Sequence, residues 1–397
     1  MELSELSVRL RALALFRPLL SEPVIEAVCT YCDCLENGWP AQIISAYGEL
    51  VSRLYATDEA DLGKHIQSVV EGSETVYLRQ VGRGETPPAS MERCLLEELK
   101  TLQAVADLTP AVLCASLGEV DYLPAFENSP VDLTGSYRRR VENIGRFGYS
   151  IYARYHMFYL DQEGHVVPVR HPDGTRLQDL VDYQREQRLI LDNTLALLAD
   201  RPAANILLTG DAGTGKSSTI KAVANELHQE GLRVIEVRKD QLRLLPAILD
   251  ELAANPLKFI LFIDDLSFQK GDDNYSALKA ILEGSVSRKS PNVAIYATSN
   301  RRHLVKESFH DREGDDIHRN DTMQELLSLS ERFGLQITFQ KPDKATYLHI
   351  VRHLAAEQGI CREDLDQLAE RFALGRGGRS PRAARQFVDS LLAEGTV

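Results

Sequence analysis

Residues 210–217 read Gly-Asp-Ala-Gly-Thr-Gly-Lys-Ser, and this glycine-rich stretch decides the fold. An apolar run at 205–209 precedes it and predicts a buried strand, while residues 218–227 have helical spacing. A strand, a glycine-rich loop and a helix form the context of a phosphate-binding loop, because glycines let backbone N–H groups surround a polyphosphate. We expect Lys216 to reach the β- and γ-phosphates and the Ser217 hydroxyl to ligate Mg²⁺. The residues expected to contact the nucleotide here are Gly210, Asp211, Ala212, Gly213, Thr214, Gly215, Lys216, Ser217 and Ser218.

Two carboxylates end a second predicted strand. Residues 259–263 form an apolar run that is followed by Asp264 and Asp265. We expect Asp264 to hold Mg²⁺, directly or through a water molecule, and Asp265 to orient or deprotonate the attacking water. With the glycine-rich loop, these residues predict a site that hydrolyses ATP.

A third polar group ends the next predicted strand. Residues 293–297 are apolar and are followed by Thr298, Ser299 and Asn300. We expect Asn300 to lie between the two earlier motifs and to hydrogen-bond the γ-phosphate or the water. Thr298 and Ser299 are interpreted as turn formers.

Length and composition indicate a globular protein. The 397 residues predict about two or three domains. No apolar run is long enough to span a membrane, and charged residues interrupt the first 20 positions, so no signal peptide is expected. The sequence therefore predicts a cytoplasmic protein without a membrane partner.

The net charge of −13 is concentrated in the N-terminal third. Residues 1–135 hold nine Lys and Arg against 21 Asp and Glu, a net charge of −12. Nucleic acid would be repelled by such a surface, so a protein partner suits this region better. Because its apolar residues have mostly helical spacing, we interpret residues 1–135 as an acidic, mainly helical recognition or assembly domain.

Three of the six cysteines lie close together, at Cys29, Cys32 and Cys34. A metal site would need a fourth ligand, such as Cys94 or Cys114. The alternative is that the three are small apolar residues of a buried helix, which is favoured because Cys32 and Cys34 would not share a helix face.

Residues 136–175 are basic and aromatic, and their pattern predicts a β-hairpin connector with strands in 149–160 and 165–170. Arginines interleaved with tyrosines are what a single-stranded nucleic-acid platform uses. A hairpin that packs against an acidic domain would have the same composition, and both interpretations remain open.

Strands alternate with helices from residue 176 to 341, and the remainder is helical. This order predicts an α/β fold, a doubly wound parallel sheet of five strands, with a helical lid at 342–397. The sequence thus predicts four parts, at 1–135, 136–175, 176–341 and 342–397.

The second half of the chain resembles an AAA+ ATPase. Residues 210–217 match the Walker A motif, residues 259–265 match Walker B, and Asn300 matches sensor 1. The local sequence more closely resembles one uncharacterised bacterial family, catalogued as domain of unknown function 815. The phrases that carry this resemblance are FILFIDDLSF at 259–268, LKAILEG at 278–284, YATSNRRHL at 296–304 and SLSERFGL at 328–335.

This resemblance implies an oligomer with shared active sites. Arg332 matches the arginine finger, which acts on the nucleotide of the next subunit, with Arg312 and Arg319 as weaker alternatives. Arg382 matches sensor 2 in the lid and would contact the γ-phosphate of its own chain, with Arg385 as the alternative.

Two departures from the family pattern matter. Most AAA+ proteins have Glu where this chain has Asp265, and the shorter side chain predicts slow hydrolysis. Asp182 stands where a Gly-Tyr pair is usual, which puts the expected adenine contacts of Val181 and Tyr183 in question.

Two functions are therefore carried forward. The first is an ATP-hydrolysing AAA+ protein that remodels, loads or regulates a macromolecular partner through nucleotide-dependent assembly. The alternative is a slow ATP-dependent scaffold or switch that binds a protein partner without nucleic acid.

Overall fold

The computed structural model describes residues 2–115, 122–268, 273–283, 290–300 and 331–393. The chain divides into two compact units, Met1–Arg154 and Tyr155–Val397. This boundary falls inside residues 136–175, which the sequence predicted as one connector. The helical part of that segment belongs to the first unit, and the hairpin belongs to the second.

The described part of the first unit is mainly helical, as the spacing of its apolar residues predicted. Its helices are α1 (Leu3–Arg11), α2 (Pro23–Asn37), α3 (Pro40–Tyr55), α4 (Leu62–Glu71), α5 (Val76–Gly82), α6 (Ala89–Ala106), α7 (Pro110–Cys114), α8 (Leu133–Glu142), α9 (Ile144–Phe147) and α10 (Ile151–Arg154). They surround one apolar core, to which α1, α2, α3, α4 and α6 all contribute buried side chains.

Buried carboxylates fix the ends of helices in this unit. Asp61 is the N-cap of α4, where its side chain accepts from the backbone N–H of Lys64, and it also accepts from the backbone and hydroxyl of Ser129. Glu98 on α6 accepts from the backbone N–H groups of Ala14 and Phe16 at 2.7 and 2.9 Å. Each carboxylate therefore satisfies backbone donors that would otherwise lack partners.

The six cysteines are all free thiols. Cys32 is buried in the core, and burial raises the pKa of its thiol to about 12. Within the described ranges, no three His, Cys, Asp or Glu side chains are grouped to hold a metal ion. Because Cys29 and Cys34 pack against the core that contains Cys32, their positions favour the packing interpretation.

The second unit is built on a mostly parallel sheet. Its strands are β1 (Met157–Leu160), β2 (Val166–Pro168), β3 (Ile206–Gly210), β4 (Leu232–Glu236), β5 (Lys258–Ile263), β6 (Val293–Ser299) and β7 (Leu335–Phe339). Their spatial order is β2-β1-β4-β5-β6-β3-β7, and only the β1–β2 pair is antiparallel.

The prediction of five strands was wrong, because the described sheet has seven. The hairpin of β1 and β2 is not a separate connector: Phe158 pairs with Ile235 of β4, which extends the sheet by two strands. The α/β class and the parallel pairing of the other five strands are confirmed. A sequence pattern gives the strands but not their neighbours, and the hairpin's place in the sheet depends on those neighbours.

The aromatic residues of the hairpin segment are mostly core residues. Tyr137, Tyr149, Tyr152 and Phe158 are buried, while Phe147 and Tyr159 are 39% and 45% exposed. Buried rings cannot stack on nucleotide bases, so these four residues do not form a nucleic-acid platform.

The second unit also contains helices between its strands, and three more come after the last strand. They are α11 (Gln184–Leu198), α12 (Lys216–Leu227), α13 (Leu245–Ala253), α14 (Asp273–Glu283), α15 (Lys344–Glu357), α16 (Leu365–Gly375) and α17 (Pro381–Ala393). The last three share an apolar core of their own. Among the helices that the structure describes, none is both long and apolar enough to cross a membrane.

Candidate functional site

The loop after β3 has the backbone that only glycine readily adopts. Gly210, Gly213 and Gly215 have φ angles of 137°, 78° and 93°. A Cβ on Gly210 would lie 2.0 Å from the carbonyl oxygen of Phe339 on the neighbouring strand β7. Glycine is required at this position because β7 leaves no space for a side chain.

Lys216 is the buried cation of the site. It lies at the start of α12, and its Nζ donates to the carbonyl oxygens of Gly210 and Asp211 at 2.8 Å and to Oδ1 of Asn300 at 3.0 Å. Burial lowers the pKa of Lys216, although nearby carboxylates act in the opposite direction. The loop therefore holds an ammonium group in a place that favours an anionic ligand.

The Asp264 carboxylate accepts hydrogen bonds from three groups. Its Oδ1 accepts from the Ser217 hydroxyl at 2.7 Å, from the Thr298 hydroxyl at 2.5 Å and from the backbone N–H of Asp265 at 3.1 Å. Because the Ser217 hydroxyl donates to the carboxylate, its oxygen lone pairs remain for a cation. A hydroxyl beside a carboxylate is an all-oxygen donor set that suits Mg²⁺.

Asp265 is held in a fixed orientation. Its backbone is left-handed, with φ 52°, and its N–H donates to the Thr298 hydroxyl at 2.9 Å. Its Oδ1 accepts from Nδ2 of Asn300 at 2.8 Å. Asn300 therefore contacts both Lys216 and Asp265, as expected for a residue between the two motifs.

The loop before α11 is strained at two consecutive residues. Asp182 and Tyr183 have φ angles of 67° and 61°, in a region that glycine prefers. The Tyr183 hydroxyl donates to the carbonyl of Gln340 at 2.6 Å, and its ring lies 5.2 Å from that of Phe339. Burial raises the pKa of Tyr183 to about 12, so the hydroxyl stays a donor at neutral pH.

The C-terminal helices contact the glycine-rich loop directly. The backbone N–H of Arg382, in the first turn of α17, donates to the carbonyl of Gly213 at 3.2 Å. A Cβ on Gly213 would lie 3.0 Å from Cβ of Arg382. The start of α17 is therefore packed on the loop.

These elements enclose one cavity of about 560 Å³. It lies at the carboxyl ends of the parallel strands, where α/β sheets bind ligands. The predicted site residues that line it are Val181, Tyr183, Ala212, Gly213, Thr214, Gly215, Lys216, Ser217, Ser218, Asp264, Asp265, Asn300 and Arg382. Arg385, the alternative to Arg382, lines the cavity as well. Gly210 and Asp211 are not among the lining residues, but their carbonyl oxygens accept from Lys216.

Arg332 is the predicted residue that the structure keeps away from the others. It is not among the residues that line the cavity, and its guanidinium is paired with the Glu283 carboxylate at the end of α14. Arg312 and Arg319, the alternatives for its role, lie outside the described residues.

Thr298 is the site residue that the sequence interpretation missed. It was predicted as a turn former, but it is the sixth residue of β6, it is buried, and its hydroxyl joins Asp264 to Asp265. Its position two residues before Asn300, which was expected at the same site, was the available signal.

Comparisons with known proteins match one family model and several solved structures. A family model described as "Protein of unknown function (DUF815)" matches residues 153–395, more than half of the chain. Solved structures with similarity include the Thermotoga maritima RuvB Holliday junction branch migration motor, at 17% identity and a TM-score of 0.36, covering 55% of this chain and 66% of that chain. The K64R mutant of the same RuvB follows at 16% identity and a TM-score of 0.39, covering 56% of this chain and 67% of that one.

The similarity to the first of these structures spans slightly less than two thirds of that protein's own length. No curated protein matches the sequence.

Proposed function

Because this chain belongs to the DUF815 family, whose model covers the whole cavity, we propose that it is an AAA+ protein that binds and hydrolyses ATP. The observation that carries this proposal is the continuous set of contacts from Lys216 through Asn300 to Asp265, beside the contact of Ser217 with Asp264. A site for binding alone has no need for a second carboxylate that is oriented by its own hydrogen bonds.

Each group has a distinct task in this proposal. Lys216 and the backbone N–H groups of the loop bind the phosphates, and Arg382 approaches the γ-phosphate from α17. A Mg²⁺ ion held by Ser217 and Asp264 would neutralise charge on the β- and γ-phosphates. Asn300 holds Asp265 so that its carboxylate accepts a proton from the attacking water.

The length of Asp265 sets an expectation for the rate. Its carboxylate lies one methylene closer to the backbone than that of a glutamate, and Oδ1 is already held by Asn300. The water must come closer or be reached through a second water, so we propose slow intrinsic hydrolysis. Turnover by the purified chain at about 10 s⁻¹ or faster would contradict this.

Arg332 acts in the neighbouring subunit in this proposal. It does not line the cavity of its own chain, and a cavity with Lys216 and Arg382 still lacks the guanidinium that a finger supplies. The functional form is then a homo-oligomer. Nucleotide-dependent assembly would act on a macromolecular partner, which the acidic first unit suits as a protein rather than a nucleic acid.

The test is phosphate release from ATP by the purified full-length chain. We expect Lys216→Ala to lose ATP binding, and Asp265→Asn to keep binding while its hydrolysis falls by roughly 100-fold or more. Lys221→Ala is the matched control, because Lys221 lies on the same helix but does not line the cavity. Hydrolysis that persists in Asp265→Asn at the wild-type rate would contradict the proposed role of that carboxylate.

The alternative is a slow ATP-dependent scaffold or switch for a protein partner. It is favoured by the buried tyrosines of the hairpin segment, which leave few rings for nucleic acid. Hydrolysis measured with and without single-stranded DNA, RNA and duplex separates the two. Stimulation supports a remodelling or loading function, whereas indifference together with ATP-dependent oligomers supports the switch.

A further inference from the structure

The polar phosphate end of the cavity is made by the glycine-rich loop, so the base must lie against the remaining lining. That lining includes Leu180 and Val181 from the loop before α11, and Ile350 and Leu354 from α15. Apolar side chains on two sides suit the faces of a flat aromatic base but cannot distinguish adenine from guanine. Discrimination needs a polar group whose donor or acceptor character is fixed.

Gln187, in the first turns of α11, lines the same cavity and is half-buried. Its Nε2 donates to the carbonyl oxygen of Asp182 at 2.9 Å and to that of Leu180 at 3.2 Å. Carbonyl oxygens can only accept, so this end of the amide must be the NH₂ group. The two partners therefore determine which end of the amide is nitrogen and which is oxygen.

Two consequences follow for recognition of a base. The carbonyls of Leu180 and Asp182 each accept one hydrogen bond from Gln187. The amide oxygen Oε1 has no hydrogen-bond partner among the residues that the structure describes, and it can only accept. The 6-position of adenine carries an amino donor, whereas the same position of guanine carries an acceptor oxygen.

We infer that Gln187 selects adenine over guanine in this cavity by accepting a hydrogen bond from the 6-amino group with Oε1. This inference rests on the proposed function and adds the residue that determines its substrate. Asp179 and Asp389 also line the cavity. Asp179 accepts from the backbone N–H of Arg176 at 2.7 Å. Asp389 and Gln386, which also lines the cavity, are exposed on α17, so none of the three is as firmly oriented as Gln187.

The test measures equilibrium binding of three nucleoside diphosphates to the full-length chain, in competition with a fluorescent ADP analogue. The three are ADP, GDP and purine riboside diphosphate, which lacks the 6-amino group. Diphosphates avoid hydrolysis during the measurement. We expect the wild-type chain to bind ADP roughly 5- to 10-fold more tightly than purine riboside diphosphate, and GDP more weakly than either.

Gln187→Met removes the amide at similar volume. We expect the ratio of ADP to purine riboside diphosphate affinity to fall to about one, in addition to any general loss from the freed loop. Gln184→Met is the matched control, since Gln184 lies in the same turn of α11 but outside the cavity lining, and its ratio should equal that of wild type. The thermal midpoint without nucleotide shows that each variant is folded.

A residue that only holds the loop would weaken all three ligands equally. The inference is therefore overturned if Gln187→Met keeps the wild-type ratio, or if the wild-type chain does not distinguish ADP from purine riboside diphosphate. In both cases the chain still binds nucleotide, and the proposed function stands. Failure of the wild-type chain to bind any of the three would overturn the proposed function as well.

Discussion

The hydroxyl of Thr298 lies between two acidic residues and makes one hydrogen bond to each. It donates to the Asp264 carboxylate and accepts from the backbone N–H of Asp265. A donor and an acceptor on a single oxygen fix the positions of both residues at once. Thr298 lines the cavity, and it also holds in place the two acidic residues on either side of its hydroxyl.

We predict that Thr298→Val lowers ATP hydrolysis by about 10-fold and raises the Mg²⁺ concentration needed for half-maximal activity, because Asp264 loses a donor and the Asp265 N–H loses its acceptor. Thr298→Ser keeps the hydroxyl and should retain most of the activity. A Mg²⁺ titration of both variants checks this. Equal losses in the Val and Ser variants would indicate that the methyl group matters and the hydroxyl does not.

At this scale the sequence supplied the motif residues but not their contacts. Lys216 was identified from the glycine-rich loop, and Asp264, Asp265 and Asn300 were identified because they follow apolar strands. Thr298 was not, because its role depends on the adjacency of β5 and β6, which pairs Ile263 with Ala297. Residues that are distant along the chain become neighbours only through that pairing.

The elements of the second unit show how α17 and the glycine-rich loop depend on each other. We predict that Gly213→Ala weakens ATP binding by about 10-fold, because a Cβ there is strained at φ 78° and presses on Arg382. Gly174→Ala is the control, since its Cβ would meet no atom within 4 Å. Isothermal titration with ATP measures both variants, and unchanged affinity in Gly213→Ala would show that α17 does not press on the loop.

The N-cap of α4 gives the first unit a measurable pH dependence. Burial acts to raise the pKa of Asp61, but hydrogen bonds from Ser129 and Lys64 outweigh it and lower the pKa below its ordinary value of 3.8. A lowered folded pKa means that the stabilisation is fully present above pH 3.8 and is lost as the pH falls through the folded pKa.

We therefore predict that Asp61→Asn destabilises the first unit by about 1–2 kcal/mol at pH 7, and that this difference shrinks below the ordinary carboxyl pKa. Urea unfolding of the full-length chain, followed by far-ultraviolet circular dichroism at several pH values, measures this difference. The exposed Asp58, changed to Asn, should show no such difference. A destabilisation that is constant from pH 7 to pH 3 would contradict the charge-based explanation.

Element prediction succeeded where local pattern decides the outcome. The five strands from β3 to β7 and the three helices at the C-terminus were found because apolar runs and helical spacing are local signals. The hairpin was expected, but its pairing with β4 was not, since nothing local indicates which strand Phe158 will meet. The alternating arginines and aromatic residues of that segment suggested a ligand surface, although most of its rings are buried.

At the scale of the whole molecule, the proposed assembly predicts complementation between inactive chains. Arg332→Ala should keep ATP binding and lose hydrolysis, and Lys216→Ala should lose both. In a mixture, a site of the Arg332→Ala chain can be completed by the intact Arg332 of a Lys216→Ala neighbour. Equal amounts should therefore restore about a quarter of the wild-type hydrolysis rate.

Phosphate release from the mixture, against each chain alone, measures this recovery at concentrations where sizing shows oligomers. Undiminished hydrolysis by Arg332→Ala alone would contradict the finger assignment. Recovery also requires that Arg332 exchange its contact with Glu283 for one across the subunit boundary.

The first unit was the least predictable part of the chain, because its helical pattern carries no motif that indicates a partner.

The hydrogen bond from Tyr183 to Gln340 adds a property of the nucleotide site that no single motif has. Gln340 lies between the last strand, β7, and the first C-terminal helix, α15, whereas Arg382 lies at the start of α17. In the proposed function, a base at the Tyr183 loop and a γ-phosphate at Arg382 would therefore act on the C-terminal part of the chain at two separate points. We therefore expect ADP to act at the first point alone and inorganic triphosphate at the second alone. Only ATP, which carries both a base and a γ-phosphate, would act at both.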